Sequence, residues 1–329
     1  MRMPRQHIRL FLKLLHQVDA QRISNNPYCI QYFNQIKTHG AYYLSIYHRV
    51  LETVIERCNR QPDDIRLIDY GCGNGVLGLF AKYCGFKNVV LADVDADFVH
   101  AARNLAQQMN LAVDVIPGSM DELQHYPADA LVATDVIEHI YHLPSFFKKV
   151  QQLNSEMVTV FTTASNPWNP LMVKKLMALQ WKDENVGNPG GGLSGSPHPP
   201  YRVMREDIIQ QYLTNPAGVQ AMVKATRGLM RQDILKAIDT FKLNQTLPNP
   251  APDNNTCHPE TGSWTERIYT PQELEVAFAA GGFSCNFKSG FYNGFDGGVK
   301  SVLKKGLNLL ISIFGKRIAP WILITGFKK

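Results

Sequence analysis

The stretch Leu67-Ile68-Asp69-Tyr70-Gly71-Cys72-Gly73-Asn74-Gly75 decides how this chain folds. The apolar run Ile65 to Tyr70 reads as a buried strand. Three glycines at alternate positions, Gly71, Gly73 and Gly75, then form a turn, and Val76 to Gly85 continue with helical spacing. Glycine tolerates positive φ and lets a ligand approach bare backbone amides at the start of a helix. A strand, a glycine-rich turn and a helix in that order are one repeat of a parallel α/β sheet.

The same rhythm extends outward. "NVVLAD" (88–93) is a strand, and "ADFVHAARNLAQQM" (96–109) is a helix that Asp95 can cap. "AVDVIPG" (112–118) and "DALVATD" (129–135) are strands. "LPSFFKKVQQL" (143–153) is a helix and "EMVTVFTTA" (156–164) a strand. "TPQELEVAFAAGG" (270–282) is a helix with Thr270 at its cap and Pro271 at its first position. "FSCNFKSGFY" (283–292) and "IAPWILITGFK" (318–328) are closing strands, with a helix over 299–315 between them. Upstream, residues 1–60 read as helical, with apolar spacing over 8–18 and 41–57. Residues 166–262 break the pattern with Pro/Gly-rich runs around helical pieces at 205–213 and 218–241. That composition predicts an insertion over the ligand edge of the sheet rather than a compact unit of its own. The expected organisation is therefore an N-terminal helical lid (1–60), a core (61–165 and 263–329) and a substrate cap (166–262).

Composition narrows the class. The chain has 329 residues, 45% hydrophobic and 19% charged, which excludes wholesale disorder and fibrous classes. No apolar run reaches the ~18 residues of a membrane span. The N-terminal segment carries bases inside its apolar run and no small-residue cleavage site, unlike a secretory signal. Six cysteines without paired or metal-ligand spacing predict free thiols in a reducing cytoplasm.

The turn itself separates two ligand chemistries. Gly73 to Gly78 formally fits the dinucleotide pattern G-x-G-x-x-G. Asp69, however, sets a carboxylate beside the turn, where it would repel a pyrophosphate. S-adenosylmethionine has an ammonium and a sulfonium and no phosphate, so an acid there suits it, and a nicotinamide-dependent oxidoreductase is disfavoured.

The run D-Y-G-C-G-N-G (69–75) resembles the first motif of class I S-adenosylmethionine-dependent methyltransferases. "LADVD" (91–95), "DALVATDVIEHI" (129–140) and "IYTPQELEVAFAAGGF" (268–283) are similar to later motifs of that family. The resemblance implies a doubly wound, seven-stranded, mostly parallel Rossmann-like sheet with N-terminal helices and a large insertion after strand five. It implies cofactor contacts from Asp69, Gly71, Cys72, Gly73, Asp93, Val94, Ser119, Met120 and Asp135. Asp93 would hold the ribose hydroxyls. Ser119 stands where the family usually has an acid at the adenine amine.

Asp135, Glu138 and His139 follow the fourth strand, at the ligand edge of such a sheet. In a helical turn they would share one side. They are the candidate catalytic groups, with His139 first as general base and Glu138 or Asp135 behind it. D-x-x-E-H also resembles the E-x-x-E-H of magnesium-dependent small-RNA 2′-O-methyltransferases and of quinone-pathway O-methyltransferases. A metal would then use Asp135, Glu138 and His139 with His198, ahead of His142 and His258. The balance of the reading is a metal-free site, the acid and histidine packing in the pocket wall.

Tyr42, Tyr43 and Tyr47 form an aromatic stripe, and Trp168, Trp181, Trp264 and Tyr201 enrich the insertion in rings. An enclosed pocket for a small-molecule or saccharide-type hydroxyl acceptor fits this better than a nucleic-acid surface. The rivals are an RNA 2′-O-methyltransferase with Mg2+ and a non-catalytic module that binds the cofactor.

The net charge of +6 is unevenly placed, with no acid before Asp19 or after Asp296. Arg2, Arg5, Arg9 and Lys13 mark one tail. Lys300, Lys304, Lys305, Lys316, Arg317, Lys328 and Lys329 mark the other. Val299, Val302, Leu303, Leu310 and Phe314 share one side of the last helix. That side is expected to pack on the core and leave a solvated basic face. The alternative is a surface for anionic lipid at the periphery of a cytoplasmic enzyme.

Overall fold

A computed structural model describes residues 3–189, 197–251, 255–295 and 298–329. Arg2 and most of the glycine-rich run expected as a loop (190–196) lie outside the described residues. The chain divides into two compact units. The first comprises Met1–Ile137, Leu143–Thr163 and Pro271–Lys329; the second comprises Glu138–His142 and Ala164–Thr270.

The first unit opens with helices α1 (Gln6–Gln17), α2 (Pro27–Thr38) and α3 (Gly40–Cys58). Helix α2 falls in the region read as helical but is not delimited there, although Asn26 caps it and Pro27 occupies its first turn. Then follow β1 (Arg66–Tyr70), α4 (Val76–Tyr83), β2 (Asn88–Asp93), α5 (Ala96–Gln108), β3 (Asp114–Pro117), β4 (Ala130–Thr134), α6 (Leu143–Leu153) and β5 (Val158–Thr163). The strands form one seven-stranded sheet in the order β3-β2-β1-β4-β5-β7-β6. Strands β1 to β5 pair in parallel, and β7 (Ile322–Lys328) runs antiparallel to both β5 and β6 (Phe283–Ser289).

Alternation along the strands assigns the faces. Leu67, Val89, Leu91, Val132 and Val160 share one buried cluster with Phe11, Leu15, Phe33, Tyr47 and Phe80. Residues 1–60 are thus built into the core of the sheet. Phe161 points the other way and meets Phe146, Phe147 and Phe278 at ring separations of 5.9–6.2 Å. Burying each such ring contributes about 1.5–3 kcal/mol.

The second unit contains α7 (Pro170–Asn185), α8 (Tyr201–Gln210), α9 (Pro216–Ala225) and α10 (Arg231–Asn244). The helix expected over 218–241 is two helices, broken where Gly228 takes φ +78°. This unit has its own core, with Ile208, Ile209, Met222, Ile234 and Ile238 fully buried. Arg205 sits inside it, bonded by both guanidinium nitrogens to Glu184, which also accepts from Thr256. The Pro/Gly-rich runs therefore do not prevent a compact unit: they connect helices whose apolar sides meet one another.

In the first unit, α11 (Pro271–Ala280) packs its Phe278 on Phe147 of α6 at 3.9 Å between ring centres. Helix α12 (Gly298–Phe314) overturns an expectation. Val299, Val302, Leu303, Leu310 and Phe314 are exposed, whereas Ser301 is the buried side chain. The polar side of α12 lies on the protein because Ser301 donates to the Gly294 carbonyl, and Asn308 bonds both the amide and the carbonyl of Tyr292.

Candidate functional site

The glycine turn is built as its residue types require. Gly71, Gly73 and Gly75 adopt φ +65°, +53° and +79°. A Cβ on Gly71 would lie 2.6 Å from Val136 Cγ2, and one on Gly75 would lie 2.8 Å from Leu91 Cδ1. Asp69, at the end of β1, is buried and accepts a 2.8 Å bond from the Gly78 amide in the first turn of α4. It thereby satisfies a donor that the helix leaves open and faces the positive end of its dipole. Burial nevertheless dominates, aided by the Asp93 charge, and pushes the Asp69 carboxyl up to about 7.

The strand tips are tied together. Cys72 N donates to Ala92 O and Gly118 N to Asp93 O. Asp93 Oδ2 accepts from Gly73 N at 2.8 Å and Oδ1 from Asp95 N at 3.0 Å. Each oxygen keeps a second acceptor site. Burial raises the Asp93 pKa, while its backbone bonds oppose the rise. Asp95 caps α5 through the amides of Asp97 and Phe98. Val94 is exposed at the rim and Met120 is buried. The Ser119 hydroxyl and amide both donate to Glu122 Oε2, at 2.9 and 2.7 Å. Its hydroxyl hydrogen is therefore engaged. Burial and the Asp69 and Asp93 charges hold the Cys72 thiol well above its usual range, so it stays protonated.

Sequence reasoning missed the wall that α2 supplies. Tyr32 Cε1 lies 3.4 Å from where a Gly73 Cβ would sit, and Tyr28 and Tyr32 meet Phe98 edge-on at 5.6 Å. Asn74 donates to Cys29 O at 3.0 Å, while its buried Oδ1 has no hydrogen-bond partner among the described residues. The signal was available in Asn26-Pro27, a cap and first-turn pair. Of the tyrosine stripe, Tyr47 is buried in the core and Tyr42 donates to Phe291 O. Tyr43 is half-buried, and the Asp135 charge adds to burial in raising its pKa.

The turn after β4 departs from the expected geometry. Asp135 has a left-handed φ of +54°, and the helical turn is a single 3-10 turn over Ile137–His139. Asp135, Glu138 and His139 therefore do not lie along one side of a common helix, and the spacing argument for grouping them fails. Asp135 is exposed and its amide donates to Thr162 O.

Glu138 and His139 belong to the second unit, and Glu138 is buried. His139 Nδ1 lies 2.8 Å from the Trp264 carbonyl oxygen. A carbonyl only accepts, so Nδ1 carries a proton, and in the neutral ring Nε2 is the acceptor nitrogen. Trp264 also donates from its amide to His139 O and from its indole to Tyr141 O. Arg267 stacks on Trp264 and Tyr269, at 4.2 and 4.4 Å, and its amide donates to Glu138 O. His198 stacks on Tyr201 at 4.6 Å and bonds Pro199 O through Nδ1. Among the described residues, no group of three or more His, Cys, Asp or Glu side chains is arranged to hold a metal ion. Trp168 lines a shallow groove of about 340 Å³ with Pro167, Pro170 and Met177.

Residues 43–198 match the family model described as a methyltransferase domain. The ribosomal protein L11 methyltransferase of Hydrogenovibrio crunogenus is 31% identical over 97 residues, 30% of this chain and 32% of that protein. The ubiquinone biosynthesis O-methyltransferase of Rickettsia akari is 24% identical over 98 residues, 30% of this chain and 39% of that protein. The chain thus spans about a third of the length of these relatives. The magnesium protoporphyrin IX methyltransferase of Synechocystis PCC 6803, solved with bound SAH, aligns over 91% of this chain and 87% of its own, with 12% identity and a TM-score of 0.40.

Proposed function

We propose, for a chain whose residues 43–198 match the family model of a methyltransferase domain, the activity of a class I S-adenosylmethionine-dependent O-methyltransferase acting on a small-molecule or saccharide-type hydroxyl. The observation that carries the cofactor is the acid-lined glycine turn. Asp69 and Asp93 stand at the tips of adjacent parallel strands, and Asn74 Oδ1 is a buried acceptor beside them. This set of acceptors fits a cationic nucleoside and rejects a pyrophosphate. Asp93 supplies acceptor sites for ribose hydroxyls, Val94 an apolar edge, and the Gly71–Gly73 backbone a close approach without side chains.

When bound, S-adenosylmethionine supplies a methyl group made electrophilic by its sulfonium. The chain's own residues orient the acceptor in line, exclude water and hold the proton. Alignment of this kind accounts for about 7–11 kcal/mol of barrier. We assign His139 Nε2 as the base that takes the acceptor's hydroxyl proton, its tautomer held by the Trp264 carbonyl. Glu138, the preceding residue, is assigned to act through its charge near the base. Trp168 and Trp181 are suited to stacking on a ring of the acceptor. The free cysteines support a reducing, cytoplasmic setting.

Mass spectrometry of the purified protein tests the cofactor. Co-purified S-adenosylhomocysteine, or its binding in calorimetry, is expected. Absence of both, together with binding of a nicotinamide dinucleotide, overturns the reading. Methyl transfer from labelled cofactor across a panel of phenols, sugars, RNA and protein tests the acceptor. Turnover is expected to survive exhaustive chelation.

A further inference from the structure

We propose that α12 and the groove beside it form a docking surface for an anionic lipid bilayer. The observation is a helix whose amphipathic sense is reversed. A surface helix ordinarily turns its apolar side to the core. Here Ser301 is 3% exposed and anchors the helix together with Asn308, while Val299 is 87% exposed and Ile313 71%. At 100° per residue, Val299, Val302, Leu303, Leu309, Ile313 and Phe314 occupy one continuous outward side. An apolar stripe of this length, left in water, marks an interaction surface.

Charge selects the occupant. Lys300, Lys304 and Lys305 flank the stripe, Lys316 and Arg317 follow it, and no acid occurs from Gly297 to Lys329. Phe291 and Phe295, just before α12, line a groove of about 690 Å³ with Arg5, which precedes α1, Arg9 of α1 and Arg49 of α3. Glu52, the acid lining this groove, has its carboxylate 3.3 Å from His48. The groove is thus lined by bases from the N-terminal helices and by the two phenylalanines that lead into α12. A second copy of this chain would bring like charges together. A bilayer with anionic headgroups accepts the apolar stripe among its acyl chains and the flanking bases at its phosphates.

Flotation of the full chain with vesicles tests the proposal. Vesicles of phosphatidylcholine with a minority of phosphatidylglycerol are expected to carry the protein at low salt. Pure phosphatidylcholine is expected to leave it in solution, and added salt to release it. The double variant Leu309→Asp/Ile313→Asp changes two exposed residues, so its melting curve and S-adenosylhomocysteine binding should match the parent. Its vesicle binding should fall at least about tenfold, and each of Lys300→Gln and Lys305→Gln about fivefold. No flotation at low salt overturns the proposal, as does equal binding by the double variant. Self-association that the double variant abolishes, without vesicle binding, would reassign the stripe to a dimer seam. These outcomes are independent of whether the chain transfers methyl groups.

Discussion

The Gly73 amide donates to Asp93 Oδ2 at 2.8 Å, so the acid at the tip of β2 holds the glycine turn that follows β1. Asp93 is therefore both a ligand candidate and part of the turn. Asp93→Ala should lower S-adenosylhomocysteine affinity at least tenfold in calorimetry, about 1.4 kcal/mol. It should also destabilise the fold by about 1 kcal/mol, because the Gly73 and Asp95 amides lose a partly buried charged acceptor. Asp93→Asn keeps one acceptor oxygen for two amides and should recover only part of the stability and of the affinity. Unchanged affinity in both variants would remove Asp93 from the cofactor site.

Gly71 is required for two separable reasons, its φ of +65° and the 2.6 Å approach of Val136 Cγ2 to the position of a Cβ. Gly71→Ala should cost about 1–3 kcal/mol in denaturant unfolding. Adding Val136→Ala relieves the contact and leaves the backbone strain, so it should restore part of the loss. Full restoration would mean that the strained φ costs nothing.

Asp69 gives stability a pH dependence of defined sign. Its carboxyl is raised to about 7 in the folded chain, chiefly by burial. The native state therefore binds the proton more tightly than the unfolded state. The associated stability is fully present below the unfolded carboxyl value of about 3.9. It declines as pH rises towards 7. Asp69→Asn preserves an acceptor for Gly78 and should flatten that slope and raise Tm above pH 7. Cofactor affinity should respond oppositely, strengthening in the parent as Asp69 ionises and weakening in the variant. A cofactor affinity independent of pH from 5 to 9 in the parent would separate Asp69 from the ligand's charge.

His139 is positioned by a carbonyl rather than by a carboxylate. His139→Ala should lower kcat for a hydroxyl acceptor by about 10²–10⁴ while leaving S-adenosylhomocysteine binding unchanged. A loss that resides entirely in KM would assign His139 to acceptor binding instead. Trp264→Phe keeps the backbone carbonyl and should retain most of the activity, provided that the segment holds its place.

Much of the first unit was legible because its signals are local. Asp95 is readable as the cap of α5, since an acid directly before a helical pattern bonds the amides of the first turn. The alternation of Leu67, Val89, Leu91 and Val132 is likewise a property of each strand alone. Helix α2 was less legible: its buried positions, Cys29, Phe33 and Ile36, are few and interrupted by polar residues. The side-sharing of Asp135, Glu138 and His139 failed because it assumed a helical φ that Asp135 does not adopt.

Sequence alone determined the sheet, the glycine turn and the acids at the strand tips, because strand periodicity, positive-φ glycine and helix capping act over a few residues. Only the tertiary structure decided which way α12 faces. Periodicity reports that a helix has an apolar side, whatever that side meets; the bonds from Ser301 to Gly294 and from Asn308 to Tyr292 turned it outward. It likewise decided that Glu184 and Arg205, 21 residues apart, neutralise one another inside the second unit. Ion pairing across such a distance depends on where the helices pack, and no spacing in the chain encodes that.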